Sequence, residues 1–312
     1  MTTTATMTAL RAHRRGGPEV LVIEQAPVPV AGPGELLVAV HAAAITFDEL
    51  LWDETWQRDG IDRTPIVPSH EFAGEVAAVA PDVTGVTVGD PVYGTVPFDR
   101  DGAAAEFVVV PAGYAAAKPR TVTDVEAAAV PLPALTAQQA LFDHADVRTG
   151  ERVLVLGGTG GVGVYAVQFA AAAGAEVTAT ARRGFDYLRD LGANRVIDVR
   201  AADPTAEPGG YDVVIDTVGG DTLDRSYALV RRGGRLVTLQ TPPDQTEAQR
   251  RGITAMFFIV ETDTVQLDRL AELIDHRGLR VTVAGTFPLR DGAAAYASRF
   301  RGVGPGKTVL II

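Results

Sequence analysis

Apolar residues fall in two textures along this chain. In the first third they form short runs, Val20-Leu21-Val22-Ile23, Leu36-Leu37-Val38-Ala39-Val40, residues 72–80 and residues 107–110. Turn signals part them: Gly16-Gly17-Pro18, Gly32-Pro33-Gly34, Pro81-Asp82 and Gly89-Asp90-Pro91. Short strands broken at this spacing predict a barrel-like β domain. One departure interrupts it at residues 46–68, which hold Phe47, Asp48, both tryptophans, Trp52 and Trp56, and a polar run over 57–63. It reads as a pocket wall, or equally as a short helix that buries both rings in the local core.

From Thr123 the texture changes. Thr123 or Asp124 can cap a helix over residues 125–129, and a second helix is predicted over 136–145, after Pro131 and Pro133. Five runs then read as buried parallel strands: 153–156, 176–180, 195–198, 212–216 and 235–239. Helical spacing marks 164–173, 186–191 and 223–230 between some of them. With Val281-Thr282-Val283 read as a sixth strand, the pattern predicts a doubly wound parallel α/β sheet over about residues 123–285. Residues 286–312 return to short helix and strand, so the β domain is expected to comprise 1–122 and 286–312.

The first of these strands runs into Gly157-Gly158-Thr159-Gly160-Gly161-Val162-Gly163 and then into an alanine-rich helix. Gly158, Gly160 and Gly163 satisfy G-x-G-x-x-G, in which glycines allow the turn, the approach of a pyrophosphate to the backbone and close helix–strand packing. The motif alone is weak, but here strand, glycine turn, helix and second strand follow in the order a βαβ unit requires. An acid that would bind the adenosine ribose of NADH is missing about 20 residues on. Ala181, Arg182 and Arg183 stand there instead. Two guanidiniums can pair with a 2′-phosphate, so NADPH is expected over NADH; the bland alternative is a solvated arginine pair in a surface turn.

At 312 residues, with 21% charged and 46% hydrophobic residues, the chain has the composition of an ordinary globular protein of two domains. A net charge of −11 argues against nucleic acid or an anionic membrane as partner. The basic group Arg11, His13, Arg14 and Arg15 is short and reads as a surface turn. No apolar run approaches the roughly 20 residues that span a bilayer. The threonine-rich residues 1–7 lack the pattern of a signal peptide, so a cytoplasmic location is expected. The absence of cysteine removes disulfides, thiolate nucleophiles and cysteine-containing zinc sites. The five histidines, His13, His41, His70, His144 and His276, show no ligand spacing, and no metal is expected.

Taken in order, these pieces resemble a zinc-free medium-chain dehydrogenase/reductase of the quinone oxidoreductase and enoyl reductase branch. The resemblance runs nearly the full length. Gly17-Pro18-Glu19-Val20-Leu21, Pro33-Gly34-Glu35, Gly74-Glu75-Val76 and Val88-Gly89-Asp90 are similar to markers of its N-terminal domain. Asp190-Leu191-Gly192-Ala193, Gly233-Gly234-Arg235-Leu236, Phe257-Phe258-Ile259-Val260 and Gly306-Lys307-Thr308-Val309 are similar to markers further on. The resemblance implies a GroES-like β-barrel-type catalytic domain, a Rossmann NADP(H)-binding domain and a homodimer. It places Gly157 to Gly163 at the pyrophosphate, Arg182, Arg183 and Tyr187 around the 2′-phosphate, and Thr136 near the nicotinamide. Val218, Gly219, Phe257 and Phe258 are implied to line the dinucleotide and substrate cleft, with core packing the alternative for each phenylalanine.

Zinc members of that superfamily hold a metal through a Cys, the His of a Gly-His-Glu run and a third ligand. Here Thr46 stands where the Cys would be, and Ser69-His70-Glu71 resembles the other marker. Relatives often carry an Asn at the position of Thr46, so a hydroxyl replaces an amide and shortens its reach. The activity implied is NADPH-dependent reduction of a quinone or an α,β-unsaturated carbonyl compound by hydride transfer. Thr46, Asp48, His70 and Tyr93 are the candidate polar residues of the cleft. An enoyl-thioester or secondary-metabolism tailoring reductase or cyclase stays open, as does a catalytically idle NADPH-binding protein. Residues 302–308 imitate a phosphate-binding loop, but Arg301 stands where its first glycine belongs and a strand-like run follows where a helix is needed.

Overall fold

The buried apolar runs from Val153 onward are strands of one parallel sheet. In the computed structural model, which describes residues 5–204, 209–301 and 304–312, this sheet has six strands. Their order across it is Arg195–Asp198, Glu176–Ala181, Arg152–Leu156, Tyr211–Asp216, Val230–Thr238 and Thr254–Phe257. Counted along the chain that is 3-2-1-4-5-6, the order of a dinucleotide-binding doubly wound fold. Val153, Leu154, Val155, Val213, Val214 and Ile215 are wholly buried, because helices cover both faces of such a sheet. Each aliphatic side chain sequestered this way contributes roughly 1.5–3 kcal/mol.

The sixth strand corrects the sequence reading. It is Thr254–Phe257, not Val281-Thr282-Val283; the segment Val283–Pro288 pairs in parallel with Lys307–Ile311 in a different sheet. Thr254–Phe257 has a neighbour on one side only and mixed burial. The segment is apolar from Ala255 to Val260, but the resemblance assigns Phe257 and Phe258 to the cleft lining rather than to a strand.

The chain divides into two compact units, the first Met1–Leu132 with Thr262–Ile312 and the second Pro133–Glu261, which contains the parallel sheet. The sequence boundaries at 122/123 and 285/286 differ from these divisions because helix Thr264–Arg277 belongs to the first unit. It packs on strand Ala115–Ala117. Tyr93 donates its hydroxyl to Leu267 O at 2.6 Å, and Asp275 accepts from the backbone N–H groups of Arg120 and Thr121.

Within that unit a seven-stranded sheet is built on the long strand Glu35–Ile45. Glu71–Val79 pairs along one edge. Two strands share the other: Phe107–Pro111 against residues 35–39 and Lys307–Ile311 against residues 42–45. The short strands expected from the turn spacing are thus present, with the C-terminal strand wedged among them. The segment that holds the tryptophans divides its rings. Trp56, on helix Asp53–Trp56, is buried and donates its indole N–H to Leu50 O at 2.9 Å, while Trp52 stays half-buried. Lys307 opens a strand, as expected for a sequence that is no phosphate loop; Gly302 and Val303 of that stretch, like residues 1–4, lie outside the described residues.

Helix Gly161–Ala172 lies close behind the glycine turn because Gly163 has no side chain. A Cβ there would come 2.2 Å from Gly157 O. Gly163→Ala is expected to lower the unfolding free energy by about 1–3 kcal/mol in urea titrations, the range for overpacking. Gly113→Ala, where a Cβ would meet nothing within 4 Å, should stay within about 0.5 kcal/mol of wild type. Equal effects at the two sites would contradict this account of the turn.

Candidate active site

In the first unit, strand register brings distant polar residues to one place. Thr308 pairs with Ile45 and Glu71 with Ala44, so Lys307 and Glu71 approach the end of Glu35–Ile45 from opposite edges, next to Thr46. The Lys307 ammonium lies 2.5 Å from Glu71 Oε2 and donates to Thr46 Oγ1 at 2.9 Å. Glu71 Oε1 also accepts the Leu132 backbone N–H at 3.2 Å. Its carboxyl is pushed above the ordinary range by burial, with the Lys307 charge opposing.

Beside this pair sits a second buried carboxyl, Glu49. It accepts the Thr46 N–H at 3.1 Å, the Ser69 N–H at 2.9 Å and the Tyr296 hydroxyl at 2.6 Å. Burial pushes it up to about 7, against those three bonds and the Lys307 charge. Burial and the neighbouring Glu49 raise the Tyr296 phenol well above its ordinary value, so it stays a donor.

The four catalytic candidates meet different fates. Thr46 is half-buried at the edge of this network. Asp48 lies outside it, in an ion pair with Arg299. His70 is 2% exposed, and neither ring nitrogen has a hydrogen-bond partner among the described residues. Its Nε2 is 3.6 Å from Glu49 Oε2, beyond hydrogen-bond length. Burial, helped by the Arg63 and Lys307 charges, drives the imidazole down to about 4, so it is neutral near pH 7. The half-buried Trp52 and Phe98 rings screen it, Trp52 stacked at 6.4 Å and Phe98 edge-on at 5.3 Å.

Tyr93 corrects the expectation of a cleft residue. It is wholly buried, its hydroxyl goes to Leu267 O, and burial raises its phenol further, so its task is to hold helix Thr264–Arg277. Glu49, Tyr296 and Lys307 escaped the sequence reading. Lys307 was visible only in the Gly-Lys-Thr imitation and as part of the marker Gly306-Lys307-Thr308-Val309, with no role given, and nothing in a linear pattern joins residues 46, 71 and 307.

In the second unit, the glycine turn, Arg182, Arg183, Val218, Gly219, Phe257 and Phe258 lie at or just beyond the C-terminal ends of parallel strands. Leu156 and Asp216 are register partners on the neighbouring strands where the order reverses, the usual ligand crevice of such sheets. Gly157, at φ +84°, turns the chain there. Its N–H donates to Thr180 Oγ1 at 3.0 Å, and the Gly158 N–H to Thr180 O at 2.8 Å. A Cβ on Gly157 would lie 2.5 Å from Thr217 Oγ1, and one on Gly158 2.9 Å from Ala179 Cβ. Thr159 and Gly160 complete the turn; Gly161, Val162 and Gly163 form the first turn of a helix whose N-terminus carries no side-chain cap. Its free N–H groups suit an anion.

Asp216 fixes the facing loop, accepting from the Val218 and Gly219 N–H groups. Thr180 and Asp216 were missed, although each closes a strand that the apolar pattern had found. Arg182 and Arg183 are exposed at the tip of Glu176–Ala181, and Tyr187 is half-buried on helix Phe185–Asp190. The carboxylate in register with Ala181 is Asp198, which Arg200 holds through both its oxygens. Phe257 ends the edge strand, Phe258 packs on the His144 ring at 4.2 Å, and Thr136 is buried in helix Pro131–Gln138.

A glycine turn at the strand-order reversal, leading into an uncapped helix, defines a dinucleotide-binding unit. Comparison with known proteins agrees. Residues 32–120 match the alcohol dehydrogenase GroES-like domain and residues 191–310 the zinc-binding dehydrogenase domain. A probable mitochondrial zinc-binding oxidoreductase of Arthroderma benhamiae is 34% identical over 281 residues, 84% of either chain. The quinone oxidoreductase from Coxiella burnetii superposes with a TM-score of 0.92 at 28% identity, over 99% of this chain and 100% of that one. A mycobacterial protein solved in complex with NADPH does so with a TM-score of 0.86 at 29% identity, over 98% and 100%. The chain belongs to the medium-chain dehydrogenase/reductase family, and it is an oxidoreductase that works with a nicotinamide cofactor.

The residues present do not fit a family zinc ion. The chain has no cysteine. Among the described residues no three His, Asp or Glu side chains gather to hold a metal. A cation, Lys307, already contacts both Thr46 and Glu71.

Glu49 and His70 titrate with opposite consequences for stability. Glu49 keeps its proton up to about 7 when folded, against an ordinary 4.5, so its contribution is full below pH 4.5 and is lost as pH rises to 7. His70 resists protonation down to about 4, against an ordinary 6.5, so its contribution is full above pH 6.5 and is lost as pH falls to 4. Urea unfolding across pH checks both. The stability difference between wild type and Glu49→Gln should shrink as pH rises from 4.5 to 7, and that between wild type and His70→Phe should grow from 4 to 6.5. Differences that ignore pH would contradict these burial effects.

Proposed function

We propose that the protein uses NADPH to reduce an activated double bond, in a quinone or an α,β-unsaturated carbonyl compound, without zinc. The observation that carries this reading is the tip of strand Glu176–Ala181. Two exposed arginines stand there, and the carboxylate beside it is neutralised by Arg200. That arrangement favours a 2′-phosphate and gives an adenosine ribose hydroxyl no free acid. The near full-length likeness to a quinone oxidoreductase supports the acceptor class.

When bound, NADPH supplies the hydride. Gly157, Gly158, Thr159, Gly160, Gly161, Val162 and Gly163 bind the pyrophosphate through backbone N–H groups, and Arg182, Arg183 and Tyr187 hold the 2′-phosphate. Thr136, Val218, Gly219, Phe257 and Phe258 orient the rest of the dinucleotide. Thr46 donates its hydroxyl to the oxygen on which negative charge develops. His70 is a neutral, aromatic-screened wall of the substrate site, and Asp48, paired with Arg299, sits at its rim. The proposal extends to a homodimer in the cytoplasm; light scattering after size exclusion reads the assembly.

Calorimetric titration tests the cofactor. NADPH should bind at least tenfold tighter than NADH, a gap of about 1.4 kcal/mol, and Arg182→Ala with Arg183→Ala should erase it. Equal affinities in the unaltered protein would contradict the phosphate site. A panel of quinones, free enones and CoA thioesters tests the acceptor. Turnover confined to thioesters would favour an enoyl-thioester reductase, and NADPH binding with no turnover an idle binding protein.

A further inference from the structure

The Lys307–Thr46 hydrogen bond has a fixed direction. A lysine ammonium has donors and no acceptor, so Thr46 Oγ1 is the acceptor and its own hydrogen must point elsewhere. Nothing among the described residues accepts that hydrogen, and the Thr46 N–H is taken by Glu49. Lys307 cannot turn away easily: it is 8% exposed and lies 2.5 Å from the buried Glu71 carboxylate. A hydroxyl that accepts from a cation is also a stronger donor, because each bond polarises the next.

We propose that Lys307 is a positioning residue for the reduction, making Thr46 a one-way hydrogen-bond donor toward the substrate oxygen. Glu71 holds Lys307 in place and balances its charge. The pair lets a threonine serve where the shorter reach of a hydroxyl would otherwise leave a weak, freely rotating donor. It follows that acceptors whose reduction leaves charge on oxygen are the ones this site favours. This inference rests on the reductase reading above, in which Thr46 meets that oxygen.

A phenolate mimics the hydroquinone monoanion that hydride transfer to a quinone leaves, and it reports its own ionisation by absorbance, with no turnover. The probe is para-nitrophenol, titrated with pH in the protein saturated with NADP+. The unaltered protein should lower the pKa of the bound phenol by at least one unit, a tenfold preference for phenolate. Lys307→Met combined with Glu71→Gln, which leaves no lone buried charge, should lose that preference. It should also cut kcat for quinone reduction at least tenfold with KM little changed. Thr46→Val should behave likewise, and Thr46→Ser should retain the preference.

The inference is overturned if the folded double variant, checked by circular dichroism and thermal midpoint, binds phenolate as well as the unaltered protein. It is also overturned if the unaltered protein shows no phenolate preference. If the double variant does not fold, equal preference in Thr46→Val and Thr46→Ser overturns it. Quinone turnover without a phenolate preference would sink the positioning role and leave the reductase reading standing. Phenolate binding without turnover of any quinone or enone would sink that reading instead.

Discussion

Two buried carboxyls, Glu49 and Glu71, constrain everything around them. A carboxylate removed from water is costly unless its oxygens are met by donors, and removing one partner of a buried pair costs about 3–5 kcal/mol. Glu49 therefore needs Thr46, Ser69 and Tyr296 in place together, and Glu71 needs Lys307 and Leu132. These partners come from the residue after the long strand, the loop before its neighbour, helix Pro131–Gln138, a C-terminal helix and the last strand. Satisfying two acids thus ties residues 46–132 and residues 296–307 to one small region. The same ties hold Thr46 at the boundary of that region, half-buried, with its orientation set from inside.

The second unit solves a different problem with backbone alone. Phosphate binding needs N–H groups that face outward, which means a turn with no side chains in the way. The lack of a Cβ at Gly157, Gly158 and Gly163 provides the room, and Thr180 and Asp216 hold the two facing loops by accepting backbone N–H bonds. Burial of Asp216 raises its carboxyl, against bonds from Val218, Gly219 and Thr238 that favour the charged form. In both units a buried acceptor sets the local geometry.

Much of the fold was legible because the physics behind it is local. Five parallel strands announced themselves as apolar runs, and the glycine turn as a motif in the right setting. Thr254–Phe257 escaped although it opens an apolar run, because Phe257 and Phe258 are implied to line the cleft, and Val281-Thr282-Val283 misled because an apolar triplet does not say which sheet it joins. The glycine turn was legible residue by residue, since its motif is contiguous. The residues around Thr46 were not. Lys307 reaches Thr46 only through the register of Lys307–Ile311 on Glu35–Ile45, a pairing across most of the chain. Tyr93 showed a phenol without showing that Leu267 takes its hydrogen.

The most direct test of the central claim follows the hydrogen. With NADPH deuterated at the transferable position and a simple enone in ordinary water, NMR of the product locates the label. Conjugate reduction by this protein predicts deuterium on the β-carbon, a solvent proton on the α-carbon and an intact carbonyl. Deuterium on the carbonyl carbon, giving an alcohol, would contradict the account.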